Sequence, residues 1–155
     1  MSFFRNDPLI AGIIAWFTAQ IIKIAISLTQ SERVSLKNLF TSGGMPSSHS
    51  ACVCALTACI AMEYGAATPC FAVAAIFGFI VMYDAMGVRR ETGEQSKILN
   101  HISRRLFSEN DSALPTKKLK ELIGHTPLQV LLGALLGILI GVIYPFLTGN
   151  SIYAA

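Results

Sequence analysis

The feature that most restricts this sequence is an apolar run at residues 127–147, which contains no Asp, Glu, Lys or Arg. A helix needs about 20 apolar residues to cross the hydrocarbon core of a bilayer. The run has no polar face, so a soluble chain would have to bury it completely, and a chain of 155 residues is too small to do so. The run therefore predicts a membrane-spanning helix.

Three other apolar segments, at residues 9–28, 48–64 and 69–84, are candidates for the same role. Only 14% of the chain is charged, whereas about one-quarter is usual in a soluble domain. We therefore expect one all-α membrane domain over residues 1–155, a polytopic bundle of about four transmembrane helices. The first span is expected to be an uncleaved anchor, since no strongly basic lead precedes it and no convincing cleavage site follows it.

The long third loop, residues 85–126, is expected to contain short helices of its own. Apolar residues at helical spacing predict one helix over residues 91–107, and a second is expected over residues 117–123, before a glycine. The segment between them, residues 108–115, is expected to be a break. Basic amphipathic helices beside a membrane lie on its surface and meet anionic headgroups. Both helices are therefore predicted to be interfacial.

The cations are distributed unevenly between the two sides of this predicted bundle. The side with the termini holds Arg5, and the other side holds ten cations: Arg33, Lys37, Arg89, Arg90, Lys97, Arg104, Arg105, Lys117, Lys118 and Lys120. The positive-inside rule places these loops in the cytoplasm and both termini outside. We expect an integral protein of a bacterial cytoplasmic (inner) membrane, with the lipid bilayer and not nucleic acid as its partner.

The cysteines and the glycines of the last span each have a structural interpretation. The four cysteines lie in or beside apolar runs, which favours buried, reduced thiols over a zinc site: Cys52, Cys54, Cys59 and Cys70. In the last span Gly133, Gly137 and Gly141 recur every four residues. This small-xxx-small pattern is typical of membrane helices that approach one another closely.

The first group of residues that could do chemistry is the run SGGMPSSHS at residues 42–50. Glycines such as Gly44 allow tight turns, and a serine is a good N-cap, so His49 is expected in the first turn of the second span. The free N–H groups and positive dipole end of a helix favour phosphate. Ser47, Ser48 and His49 are therefore candidates for binding phosphate and moving protons, the alternative being a capping loop with an interfacial histidine.

The second group, residues 84–95, begins where the third span leaves the membrane. Arg89 and Arg90 carry planar guanidinium groups that match phosphate oxygens. Asp84 is a candidate for orienting a histidine or an arginine, or for holding a metal together with Glu91 or Glu94. The alternative is a set of membrane-edge arginines paired with nearby acids.

The third group places a histidine before the last span. Thr126 is expected to cap that helix with Pro127 at its first position, so His125 stands at a second helix N-terminus. The predicted topology puts His125, His49 and the two arginines at the same cytoplasmic edge. Lys23, near the cytoplasmic end of the first span, can extend to the same place, and a lysine within a span is functional by default.

Three runs of this sequence, SGGMPSSHSA, YDAMGVRRETGEQ and LKELIGHTP, together resemble a known family. It is that of the divergent type-2 phosphatidic acid phosphatase-related membrane proteins, also described as acid phosphatase/vanadium-dependent haloperoxidase-related. The resemblance covers nearly the whole chain. It implies hydrolysis of phosphate monoesters or pyrophosphates, often of lipids, through a phospho-histidine and without a metal.

The superfamily has a lysine motif and a PSGH motif, and the resemblance assigns both here. Residues 46–49 match PSGH with Ser48 in place of glycine, which implies that His49 is the general acid for the leaving oxygen. Lys23 is the candidate for the lysine of the first motif, although the Arg-Pro expected after it is absent.

A third motif combines an arginine, a histidine and a carboxylate. By resemblance His125 takes the place of the nucleophilic histidine, and Gln129 stands where the orienting carboxylate is expected. Leu119 occupies the position of the arginine, so Arg89 or Arg90 would have to supply that charge.

The leading hypothesis is a metal-independent phosphoric ester hydrolase that acts on a membrane lipid phosphate or pyrophosphate at the cytoplasmic face, without a cofactor. A homodimer is the candidate assembly. Its catalytic residues would be His49, His125, Arg89 and Asp84, and its substrate-binding residues Lys23, Ser47, Ser48, Arg90 and Gly44. The roles of the two histidines could be exchanged. The alternatives are a protein that binds or moves a phospholipid or anion without turnover, and a structural subunit associating through its glycines.

Overall fold

The computed structural model describes residues 6–29, 44–106 and 125–152, with only the backbone given at positions 88–90 and 104–106. It contains helices α1 (Asp7–Thr29), α2 (Ser48–Tyr64), α3 (Pro69–Met86), α4 (Val88–Leu106) and α5 (Pro127–Thr148). These ranges contain no β-strand, so the all-α prediction is confirmed.

Three helical stretches of the described chain are long and apolar enough to cross a membrane: Asp7–Thr29, Pro69–Ser103 and Pro127–Thr148. Large apolar side chains on their outer faces, such as Phe17, Phe79 and Leu131, are more than half exposed, as expected of surfaces that meet lipid. Helix α2 has 17 residues, near the lower limit of roughly 17–25 for a span. The fold is a helical membrane bundle, and the crossing by α2 stays a prediction.

Contacts along α2 give the directions of its neighbours. Gly12, near the start of α1, lies beside Cys52 and Leu56 of α2. Lys23, further along α1, reaches Ser48 at the start of α2, so α1 and α2 are antiparallel. In contrast, contacts of α5 with α2 advance together along both helices, from Ser47 with Gly133 to Ala55 with Gly141. Helices α2 and α5 are therefore parallel and begin at the same end of the bundle.

The three predicted small residues of α5 form the closest contact in the fold. A Cβ atom on Gly133, Gly137 or Gly141 would overlap the backbone carbonyl of Ser47, Ala51 or Ala55, respectively. Around this seam the core consists of small side chains, with Ala15, Ala19, Ala51 and Ala55 fully buried. The glycine face is thus occupied by α2 of the same chain, which leaves the structural-subunit alternative without its proposed surface.

Two details of the predicted elements are corrected. The first loop helix was expected from residue 91, but α4 already begins at Val88, because the Gly87 N–H bonds Tyr83 O and Glu91 N–H bonds Gly87 O across the junction with α3. The prediction of buried cysteines holds for Cys59 but not for Cys70, which is exposed in the first turn of α3. The predicted break at residues 108–115 and the second loop helix at residues 117–123 lie outside the described residues.

The end of the bundle where α1 starts and α5 finishes, called here the carboxylate end, is held by Asp7. This side chain is only 7% exposed, and its Oδ2 accepts hydrogen bonds from Thr148 Oγ1 at 2.9 Å and Asn150 Nδ2 at 2.6 Å. The chain after α5 is also tied to α2, because Ile152 N–H donates to Met62 O at 2.9 Å. These bonds fasten the start of α1, the end of α2 and the end of α5 to one another.

Candidate functional site

The opposite end of the bundle, called here the histidine end, contains the start of α2, the start of α5, the C-terminal part of α1 and the end of α3. Three contacts define it: Lys23 with Ser48, Ser47 with Gln129, and His125 with Ala85. It thus gathers residues that are far apart in the sequence, and most of the predicted site residues lie on or beside these contacts.

Ser47 is the N-cap residue of α2 and is fully buried. Its Oγ accepts the Ser50 N–H at 3.4 Å and the Ser50 hydroxyl at 3.0 Å, so it caps the helix as an N-cap serine should. His49 is half-buried in the first turn, where it was expected. The Ser47 hydroxyl is therefore engaged in capping, and His49 stands at the positive end of the α2 dipole.

Lys23 brings a positive charge to the same helix start. Its Nζ donates to Ser48 Oγ at 3.2 Å, and the Ser48 side chain is 2% exposed. Gly44 has φ +90°, a conformation that favours glycine. A Cβ atom at this position would lie 3.7 Å from Cδ of the Lys23 side chain. The loop before α2 and the C-terminal part of α1 thus hold the ammonium group beside the first N–H groups of a helix, an arrangement that favours an anion.

His125 is fixed at the start of α5 by two different partners. The residue is 2% exposed, and its backbone N–H donates to Ala85 O, near the end of α3, at 3.1 Å. Its Nδ1 lies 3.2 Å from Gln129 Oε1. His125 is therefore oriented both through the main chain and through its ring.

The capping box of α5 decides which ring nitrogen of His125 carries the proton. Gln129 Oε1 accepts the backbone N–H of Thr126 at 3.0 Å, and Thr126 Oγ1 accepts the Gln129 N–H at 3.4 Å. Because the Gln129 atom that receives an N–H must be the oxygen, the same atom can only accept from His125. Neutral His125 is then protonated on Nδ1, and its lone pair is on Nε2.

Gln129 also connects the two helix starts, a role that sequence reasoning missed. Its backbone carbonyl accepts the Ser47 N–H at 2.9 Å, just outside the first turn of α2. The Thr126-x-x-Gln129 spacing was a readable signal for the capping box, whereas the bond to Ser47 is non-local and has no pattern in the sequence. The hydroxyl pair of Ser47 and Ser50 was missed too, although its spacing of three residues is typical of a helix cap.

The remaining predicted residues are placed less completely. Asp84 is half-buried next to Ala85, at the level where His125 is anchored. Arg89 and Arg90 lie in the first turn of α4, and their side chains are outside the described residues. Within the described ranges no group of three or more His, Cys, Asp or Glu residues is placed to hold a metal ion.

The fold gives the class of the protein, and comparison of its sequence with known families gives the family. The bundle defines a polytopic helical membrane protein with polar helix starts gathered at one end. Residues 4–140 match the Divergent PAP2 family, and the chain belongs to that family. It is also similar to "Uncharacterized membrane protein YuiD" of Bacillus subtilis (strain 168), with 39% identity over 155 residues, covering 94% of this chain and 98% of that protein. No solved structure matches.

Proposed function

We propose that this protein is a membrane phosphatase that hydrolyses a lipid phosphate or pyrophosphate through a phospho-histidine, at the cytoplasmic face of a bacterial inner membrane. The observation that carries the proposal is the pairing of two helix N-termini, one beside Lys23 and one bearing an oriented His125, at one end of the bundle. Membership of a family related to phosphatases and the excess of Lys and Arg in the loops of this end support it.

Binding of the phosphoryl group follows from the charges. Helices α2 and α5 both direct the positive end of their dipole to this end, and Lys23 adds a full charge. Phosphoryl transfer needs mainly positioning and stabilisation of charge on the equatorial oxygens, and these groups supply both. Gly44, Ser48, Arg89 and Arg90 stay candidate binding residues in this scheme.

The nucleophile is assigned to His125 because Gln129 accepts the Nδ1 proton, which places the lone pair of the neutral ring on Nε2. Nε2 forms a bond to phosphorus as the bond to the leaving oxygen breaks. His49, as imidazolium, gives its proton to that oxygen and then takes one from water, which attacks phosphorus and returns the electron pair to Nε2. The products are inorganic phosphate and the alcohol from a lipid phosphate, or inorganic phosphate and the lipid monophosphate from a pyrophosphate. Asp84 is a candidate positioning residue.

One observation favours a second function, binding or movement of a phospholipid without turnover. The partner of His125 is the neutral amide of Gln129, which holds the ring but gives less stabilisation to a positively charged imidazole than a carboxylate would. A site built in this way is well suited to retaining an anion, so turnover has to be measured directly.

The test is phosphate release by purified protein in detergent, with a panel of lipid phosphates and pyrophosphates in the presence and absence of EDTA. We expect release by the wild type, none by His49→Ala or His125→Ala, and full release by His101→Ala, a matched control because this third histidine is exposed on α4. Phospholipid binding without any release would overturn the enzymatic proposal in favour of the second function. Release that EDTA abolishes would replace the proposed metal-independent mechanism by one in which Asp84 helps hold a metal.

A further inference from the structure

The surface of α4 has the reverse of the burial expected in a water-soluble fold. Three large apolar side chains in its second half are exposed, with Ile98 60%, Leu99 53% and Ile102 44% exposed. Its buried positions are Gly93 and the polar Asn100, which is 6% exposed.

We propose that the stripe formed by Ile98, Leu99 and Ile102 lies in the headgroup and upper acyl region of an anionic phospholipid leaflet, so that α4 is an interfacial helix docked on the bilayer. Gly93 and Asn100 are seven residues apart and share one face of the helix, whereas Ile98 and Ile102, four residues apart, share another. In its second half the helix thus turns a polar face to the protein and an apolar face away from it, whereas Glu91 and Gln95 continue the outer face toward α3.

The position of α4 places this stripe near the membrane. The helix begins directly after Gly87, at which α3 ends, and the candidate span Pro69–Ser103 consists of the apolar α3 followed by most of the more polar α4. Gly87 has φ −99° and ψ −87°, which departs from helical geometry and allows α4 to leave the axis of α3. A helix with one apolar face in this position sits about 5–10 Å into the boundary between headgroups and acyl chains.

The net positive charge of α4 favours a leaflet with anionic headgroups. Besides its two glutamates, Glu91 and Glu94, the helix contains five cations in its sequence: Arg89, Arg90, Lys97, Arg104 and Arg105. Basic segments close to a span are attracted to anionic headgroups over about a Debye length. An anionic bilayer therefore satisfies both the apolar stripe and the charge, whereas a second copy of this chain would bring the same cations face to face.

The experiment measures the depth of single tryptophans in the full-length protein, reconstituted in vesicles of phosphatidylcholine with phosphatidylglycerol. In a Trp16→Phe background, which removes the only native tryptophan, Ile98→Trp and Ile102→Trp report on the stripe. Lys97→Trp is the matched control, since this position is directed away from the stripe. We expect lipids brominated near the carbonyl end of the acyl chain to remove most of the emission at positions 98 and 102 and little at position 97.

Replacing phosphatidylglycerol by phosphatidylcholine should reduce quenching at positions 98 and 102. Equal quenching at all three positions, or none at 98 and 102, would overturn the proposal, and cross-linking between copies in the unquenched case would identify a second chain as the occupant. Quenching that does not depend on phosphatidylglycerol would contradict the anionic part. No outcome depends on phosphate release, so the result is independent of the proposed enzyme.

Discussion

At the histidine end of the bundle helices α2 and α5 begin, whereas at the carboxylate end they finish. The histidine end combines Lys23 with two helix N-termini, and the carboxylate end combines Asp7 with donors from the chain that follows α5. Both ends contain buried polar groups that are bonded to distant parts of the same chain. They differ in charge, because the carboxylate end has an acid that accepts from neutral donors, whereas the histidine end has a cation beside two helix N-termini.

The comparison teaches that buried polarity alone does not identify a site in this protein. Asp7 accepts two side-chain hydrogen bonds that join α1 to the region around the end of α5, which accounts for it structurally. Lys23 adds charge where the backbone dipoles are already positive, an arrangement that costs stability unless an anion is present. Function is therefore assigned to the end where Lys23 and two helix N-termini together favour a bound anion.

The largest difference between the two ends is expected for Lys23→Met. Hydrogen bonds to charged groups are worth about 1.5–3 kcal/mol, so loss of the ammonium should weaken binding of inorganic phosphate by about 10- to 100-fold. Titration calorimetry of the detergent-solubilised protein measures this. Lys97→Met, at an exposed lysine paired with Glu94, is the matched control and should bind phosphate like the wild type. An equal loss in both variants would remove Lys23 from the site.

The contact of Gly133, Gly137 and Gly141 with α2, called here the glycine seam, allows the same kind of substitution to be made nearer to or further from the histidine end. Gly133→Ala and Gly141→Ala each place a methyl group against a backbone carbonyl of α2, and each should cost about 1–3 kcal/mol of unfolding free energy in detergent. Only Gly133 contacts Ser47, so only Gly133→Ala should also weaken phosphate binding. If Gly141→Ala weakened binding equally, the seam would act on the whole bundle rather than on the site.

Asp7→Ala is expected to affect stability alone. The substitution removes the acceptor of Thr148 and Asn150, and loss of such buried partners costs about 1–3 kcal/mol. Thermal unfolding followed by circular dichroism should show a lower midpoint, with phosphate affinity unchanged. Glu94→Ala removes an exposed acid and should change the midpoint little. A change in phosphate affinity in Asp7→Ala would mean that the two ends are coupled.

The smallest effect is expected for Thr126→Ala. This change removes the hydroxyl that accepts the Gln129 N–H and should cost about 1 kcal/mol, as loss of a helix cap usually does. Thr68→Ala removes the corresponding cap of α3, at the other end of the bundle, and serves as the control. Both should lower stability similarly, and phosphate release should fall more in Thr126→Ala because Gln129 also orients His125.

The sequence was sufficient to predict the helices that form the bundle and to place the two histidines at helix N-termini, because caps such as Ser47 and Thr126 are local patterns. It also indicated a close helix approach at Gly133, but not that the partner was α2, since that depends on how distant segments pack. For the same reason the bond between Ser47 and Gln129 was not predictable. Cys70 was placed wrongly because an apolar neighbourhood in the sequence does not distinguish a lipid-facing position from a buried one.

The most direct test of the central claim is trapping of the phosphorylated protein with a radiolabelled lipid phosphate, followed by peptide mapping. The account predicts a label on His125 that is labile to acid and stable to alkali, absent in His125→Ala and retained in the control His101→Ala. Release of phosphate by the wild type with no label on any histidine, or a label that persists in His125→Ala, would contradict it.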